Sequence, residues 1–340
     1  MTYILGIETT CDETAVSIVK DGVHVLSEVT SLQIDLHSRF GGVVPELAAR
    51  RHLELIIPTL EKALEKSGLK KEALDAIAVA RGPGLIGAIL IGLNTAKALS
   101  LAWNKPLIGI NHIEAHLYSA MMNERFQSGS FLPAIGLVLS GGHTSLVLVR
   151  DVGDYTLLGQ TRDDAIGEAF DKVAKMLSLP YPGGPYIEKE ALKGDPHSFS
   201  FKPCVIKEAP LDFSFSGLKT SVSHALKKLS SLPPTQDTIS DIAASFQRAA
   251  FQGICDRLKV CLDTMPNIKS AVLGGGVTCN ETLRKALIPV AHPLPIFWPK
   301  KEHCLDNAAM IAGLGYHKLK QNPKGDPLDI PAMTTIPFLS

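Results

Sequence analysis

The sequence predicts an α/β protein made of two related halves, and three observations carry that prediction. Alternating residues make Ile4–Glu8 and Ala15–Val19 half-buried strands around a polar turn, Thr9-Thr10-Cys11-Asp12-Glu13-Thr14, and Asp21-Gly22 then turns into a third strand, Val23–Val29. The same pattern returns later. Ala134–Leu139 and Ser145–Val149 flank Ser140-Gly141-Gly142-His143-Thr144, and Tyr155–Leu158 follows Asp151-Val152-Gly153. Each triplet leads into helical periodicity interleaved with short apolar strands, the signature of an α/β layer that has been duplicated.

Helical spacing of apolar residues marks 46–66, 85–103, 165–177, 239–264 and 305–320, and the later strands are 76–80, 107–110 and 271–273. A chain of 340 residues is long enough for two domains. The expected division is an N-terminal lobe at 1–130, completed by a C-terminal helix at about 306–340, and a C-terminal lobe at 131–305. The second lobe carries an insertion at about 193–234, where Gly194-Asp195-Pro196 and Pro233-Pro234 break periodicity around one helix near 216–228.

Lys plus Arg equals Asp plus Glu at 34 each, which excludes a chain that coats nucleic acid or an anionic membrane by bulk charge. The six cysteines form no C-x-x-C pair and read as reduced, mostly buried thiols. The first residues lack the basic start of a signal peptide. The longest apolar stretch, 85–103, contains Asn94, Thr95 and Lys97, which suits a buried helix rather than a membrane span. A soluble cytoplasmic protein is expected.

Several groups of residues are equipped for chemistry. His112-Ile113-Glu114-Ala115-His116 places two imidazoles at i and i+4 on one helix face, so they either bind one metal ion or hydrogen-bond at a surface. Glu114 lies two residues from each histidine and points away, unlike the glutamate of H-E-x-x-H proteases. Asp306 sits at a helix start. It is either an N-terminal cap or the carboxylate of a two-histidine, one-carboxylate site, with His303 and Cys304 as competing ligands. Glycine turns at 140–143, 182–185 and 274–277 suit close backbone approach to phosphate and ribose, and none is a P-loop. Asp171 is a ribose acceptor or a solvated helix charge. Asn280 can reach a base or sugar. Asp12 and Glu13 are ordinary turn acids or an acidic tip facing a cleft.

Taken together, these residues resemble the family of tRNA N(6)-adenosine threonylcarbamoyltransferases, formerly known as O-sialoglycoprotein endopeptidases. The matches run in order through nearly the whole chain: Leu5–Thr14, Pro45–Arg50, Arg81–Leu85, His112–His116, Leu139–Thr144, Gly167–Lys172, Tyr181–Pro185, Gly275–Val277 with Asn280, and Asp306–Met310. The resemblance implies the fold of actin, Hsp70 and the sugar kinases, with two duplicated α/β lobes around a nucleotide cleft. It implies one divalent metal ion per subunit, iron with zinc as the alternative, held by His112, His116 and Asp306. Val138, Leu139, Ser140, Gly141, Gly142, Asp171, Gly184, Glu188 and Asn280 would contact threonylcarbamoyl-AMP. Glu188 stands where some members have Asp, and Val277-Thr278-Cys279 is a mild variation before Asn280.

The implied reaction moves the threonylcarbamoyl group from its AMP-activated form to the exocyclic amine of adenosine 37, in tRNAs that read codons starting with adenosine. The acyl-phosphate is already activated, so positioning and charge stabilisation carry most of the work. Glu13, ahead of Asp12, would take the amine proton as general base. The implied partners are tRNA, a paralogous inactive relative and a small ATPase, with no membrane. The competing readings are a metalloprotease and an ATP-dependent kinase of the same fold.

Overall fold

The structure is a computed structural model that describes residues 1–229 and 233–336. Ser230–Leu232, in the expected insertion at 193–234, and Pro337–Ser340, in the expected C-terminal segment at 306–340, lie outside the described residues. The chain forms two compact units, Met1–Ser130 with Trp298–Ser340, and Phe131–Phe297.

In the first unit an antiparallel meander, β1 (Tyr3–Glu8), β2 (Glu13–Lys20) and β3 (His24–Leu32), is followed by α1 (Ile34–Ser38) and α2 (Pro45–Ser67). Two parallel strands complete the sheet, β4 (Ala76–Gly82) and β5 (Leu107–Asn111), linked by α3 (Ile86–Trp103), in the order β3-β2-β1-β4-β5. α4 (His112–Met121) and α5 (Glu124–Ser128) close the segment. The second unit repeats the plan with β6 (Ala134–Leu139), β7 (Thr144–Asp151) and β8 (Asp154–Gln160). Then come α6 (Ile166–Met176), α7 (Gly183–Ala191), α8 (Ser216–Lys227), α9 (Gln236–Thr264), β9 (Ser270–Gly274), α10 (Glu281–Ala291) and β10 (Ile296–Phe297). Its order, β8-β7-β6-β9-β10, matches that of the first sheet strand for strand. The duplication read from the strand pattern is therefore present in the fold.

The last helix, α11 (Ala308–Gln321), packs on β1, β2 and α4 of the first unit. The first sheet is thus covered on both faces. Leu5, Ile7, Val16, Ile18, Ile77 and Val79 meet Ile56 and Leu60 of α2 and Leu93 of α3. On the other face Gly6 and Gly315 let α11 lie close. A Cβ on Gly6 would stand 2.3 Å from the Ala308 carbonyl oxygen. The expectation of half-buried strands at 4–8 and 15–19 needs correction: helices cover both faces of the sheet, so every residue in those two stretches is buried.

Local chemistry sets the helix ends. Pro45 opens α2 at a position where its missing N–H costs nothing, and Gly68 at φ +67° closes it. The expected start of the last helix needs correction. It begins at Ala308, because the Asn307 side chain accepts the Met310 N–H at 2.9 Å. Asp306 is thereby released from the capping role. α3 is buried on one face only: Ala88, Ile89, Leu93 and Ala96 are covered, whereas Ile86, Leu90 and Leu101 are exposed. It is the one helix among the described residues whose length and composition would suffice to cross a membrane. The six cysteines form no disulfide, and Cys255, Cys261 and Cys304 are buried while the other three are partly exposed.

Candidate functional site

β5 runs directly into α4, so the strand end delivers the first histidine to the top of the sheet. Asn111 makes the junction by accepting the Ile113 N–H at 2.9 Å, which fixes the first turn of α4. One helical turn on, His116 lies on the same face as His112, with ring centroids 4.5 Å apart. Asp306 arrives just before α11. Its Oδ1 stands 3.1 Å from His116 Nε2 and 3.6 Å from His112 Nε2. The three ligand atoms all lie within 4.8 Å of one another.

The surroundings fit a cation. Both ring nitrogens of His116 are buried, Nδ1 without a hydrogen-bond partner and Nε2 facing Asp306 Oδ1 at 3.1 Å. An imidazole left so, well inside the protein, is costly unless it has a Lewis-acid partner. His112 is oriented from behind: its Nδ1 meets Glu8 Oε2 at 2.8 Å and Thr10 Oγ1 at 3.2 Å, leaving Nε2 for the ion. A carboxylate behind a metal-binding imidazole fixes its tautomer and raises its basicity. Burial alone would lower His112, but Glu8 and Asp306 outweigh it and hold the imidazole up at about 9. Burial, with His112 beside it, pushes His116 down.

Asp12 is buried in the first turn and Glu13 opens β2. Burial drives the Glu13 carboxyl well above the usual carboxylate range, with Asp306, Asp12 and Glu8 adding to the rise. Four carboxyls and two imidazoles crowd one corner of the first unit. Such crowding is relieved by a bound cation. His303 is not part of the group, since its Nδ1 lies 2.9 Å from Glu28. Cys304 points elsewhere too, its sulfur 3.5 Å from the Lys300 carbonyl. Glu114 pairs with Lys318 at 2.9 Å.

In the second unit the equivalent turn is built from backbone. Ser140 N–H donates to the His143 carbonyl at 2.9 Å, and His143 N–H donates to Ser140 Oγ at 3.1 Å. The Ser140 and Gly141 carbonyls accept the Gly167 and Glu168 N–H groups, which docks the start of α6 on the turn. A Cβ at Gly141, Gly142 or Gly184 would meet nothing within 4 Å, so this wall is open. Gly275 differs: its φ is +96°, and a Cβ there would stand 2.5 Å from the Leu139 carbonyl oxygen.

The residues named from sequence in this unit are linked through short contacts. Val138 and Leu139 end β6, buried beside β7 and β9. Asp171 accepts the Gly183 N–H at 2.7 Å, holding the glycine turn against α6. Glu188 accepts the Glu281 N–H at 2.8 Å. Asn280 caps α10 through Leu283 N–H at 3.0 Å and donates to Gln247 Oε1 at 2.8 Å. Sequence reasoning did not single out Glu8, Thr10, Asn111 or Gln247. For Glu8 a signal existed: a charged residue in phase with Ile4 and Gly6 inside a fully buried strand.

Fold and site together define a duplicated α/β protein of the actin, Hsp70 and sugar-kinase kind, with a candidate metal centre on its first unit. Among solved structures it is similar to a full-length HypF, with a TM-score of 0.60 at 14% identity, covering 96% of this chain and 47% of that one. It is also similar to a ROK hexokinase from Thermus thermophilus, with a TM-score of 0.53 at 16% identity, covering 94% and 100%. At those identities the likeness concerns the fold. Residues 24–313 match the model of the family TsaD, tRNA N6-adenosine threonylcarbamoyltransferase. The protein of that name from Protochlamydia amoebophila is 53% identical, covering 99% of this chain and 98% of that one. The one from Anaeromyxobacter dehalogenans is 48% identical over 96% and 97%. The chain belongs to the tRNA N6-adenosine threonylcarbamoyltransferase family.

Proposed function

We propose that this protein transfers the threonylcarbamoyl group from threonylcarbamoyl-AMP to the exocyclic amine of adenosine 37 in tRNAs that read codons starting with adenosine, releasing AMP. The observation that carries the reading is the convergence of His112, His116 and Asp306, with both nitrogens of His116 buried, in a chain of this family. These three residues would hold one divalent ion, iron or zinc. When bound, that ion supplies Lewis-acid stabilisation to phosphate or carbonyl oxygens.

The chain's own groups divide the remaining work. Glu8 orients His112. Glu13, whose carboxyl is raised by burial and neighbouring acids, is suited to take a proton from the attacking amine, with Asp12 beside it. Ser140, Gly141, Gly142 and Gly184 offer a wall without side chains to phosphate and ribose. Val138 and Leu139 back that wall, and Asp171, Glu188 and Asn280 border it. The protease reading loses its general base, because Glu114 turns to Lys318 through Oε2 and to a separate cavity rather than to the two histidines.

We infer that the protein works in the cytoplasm with a paralogous inactive relative and a small ATPase. The exposed apolar residues Leu53 and Ile57 of α2 and Ile86, Leu90 and Leu101 of α3 suit the relative. The exposed pairs Arg50-Arg51, Lys70-Lys71, Lys227-Lys228 and Lys300-Lys301 suit tRNA phosphates, which makes activity fall as salt rises. The test is reconstitution with unmodified tRNA, threonine, bicarbonate, ATP, the adenylate-making enzyme and both partners. Nucleoside mass spectrometry should show threonylcarbamoyladenosine. If adenylate forms normally and no modified nucleoside appears, the assignment is wrong.

A further inference from the structure

Behind the metal-binding helix, on the first unit, lies a polar cavity of about 290 Å³ that none of the proposed catalytic groups uses. Its charged lining consists of Arg81, Glu114, Lys318 and Asp326, two of each sign, above a floor of Ile108 and Ile330. Most of this charge is accounted for. Lys318 pairs with Glu114 Oε2 at 2.9 Å, and Asp326 Oδ2 accepts the Gly109 N–H at 2.7 Å.

Two groups are left over, and they have opposite character. Glu114 Oε1 is buried without any hydrogen-bond partner, and the whole Glu114 side chain is only 6% exposed. The guanidinium of Arg81 meets only the Met333 sulfur, at 3.8 Å, among the described residues. A guanidinium carries five N–H donors in a planar fork suited to a carboxylate, and a thioether sulfur is a weak acceptor. Arg81 is also held in place. Its stem crosses Gly109 so closely that a Cβ there would stand 2.8 Å from Arg81 Cδ.

A buried carboxylate oxygen needs a donor, and a guanidinium needs an acceptor. One small molecule that brings both is a zwitterion, with its ammonium to Glu114 and its carboxylate to Arg81. The lining is already balanced in charge, so a net-neutral ligand preserves the balance, while a lone metal ion or a phosphate would upset it. We propose that this cavity binds the ammonium and carboxylate of a free α-amino acid. The site abuts the metal-binding helix, since Glu114 stands between His112 and His116 and Asn111, which caps α4, lines the same cavity.

Calorimetric titration of the full chain with L-threonine and glycine, then with their methyl esters and N-acetyl derivatives, tests this without reference to the transferase reading. The free amino acids should bind, and removing either charge of the ligand should weaken binding at least about tenfold, the factor that corresponds to about 1.4 kcal/mol. Arg81→Gln and Glu114→Gln, each checked for native melting, should weaken the free amino acid at least tenfold. Gly109→Ala, which displaces Arg81 and leaves every charge in place, should weaken it as well. No heat with either free amino acid, equal binding of ester and acid, or undiminished binding by folded Arg81→Gln and Glu114→Gln would overturn the proposal.

Discussion

The turn after β1 and the turn after β6 occupy the same place in two copies of one sheet, yet they are made of opposite materials. The first is filled with side chains: Thr10, Asp12 and Glu13 crowd under Glu8, His112 and Asp306, and burial raises the Glu13 carboxyl. The second is stripped to backbone, with Gly141 and Gly142 facing open space. Duplication supplied one hairpin twice, and the residues placed in its bend decided what each copy can hold. A packed acidic bend suits a cation, and a bare bend suits a ligand whose phosphate needs N–H groups at close range.

The comparison breaks most visibly at the proposed metal ligands. His116→Ala should strip the ion from the purified protein and reduce transfer by more than about 100-fold, beyond the usual cost of losing a group behind a ligand. Metal analysis by plasma mass spectrometry decides it, and equal metal content in both proteins would remove the first bend's role. Glu8→Gln keeps the shape and removes the charge behind His112. It should weaken metal affinity about 10–100-fold while the fold survives, as read by competition with a chelator.

On the bare side, Gly142→Val should lower affinity for an AMP analogue roughly tenfold or more, with stability changed by less than about 0.5 kcal/mol because a Cβ there meets nothing within 4 Å. Gly275→Ala is the control. There the backbone itself is strained by substitution, so the melting temperature should fall instead.

The smallest effect is a pH dependence of stability beneath the acidic bend. His52 is buried, with Nε2 on the Cys11 carbonyl at 3.0 Å and Nδ1 on Thr14 Oγ1 at 2.8 Å, and burial lowers its pKa from 6.5. Between the lowered folded value and 6.5 the unfolded chain takes a proton that the folded chain refuses. Stability from this group is therefore complete above 6.5 and declines as pH falls below it. Melting curves across that range should flatten in His52→Gln relative to the parent protein. Parallel curves would assign the dependence to other groups.

Much of this was legible in the sequence, for definite reasons. Strands such as Ala134–Leu139 were legible as elements, but the half-burial expected of them was not borne out, because every residue there is buried. His112 and His116 are one helical turn apart, a relation fixed by local geometry. Asp306 was harder, because a carboxylate at a helix start has an ordinary local explanation that only the position of Asn307 removes. Glu8 and Gln247 were not read at all. Their roles depend on partners 104 and 33 residues away, and no spacing rule reaches that far.

The first unit is discontinuous in the chain, and that has a consequence for biosynthesis. His112 and His116 emerge early from the ribosome, but Asp306 follows only after the entire second unit has been made. At ordinary elongation rates the wait is roughly 10–40 s. Throughout that time β1 also lacks α11, the helix that covers one of its faces. A nascent or prematurely stopped chain thus presents two imidazoles without their carboxylate on a half-covered sheet. Completion of the three-residue cluster and closure of that sheet therefore arrive together, only after the second unit has been made.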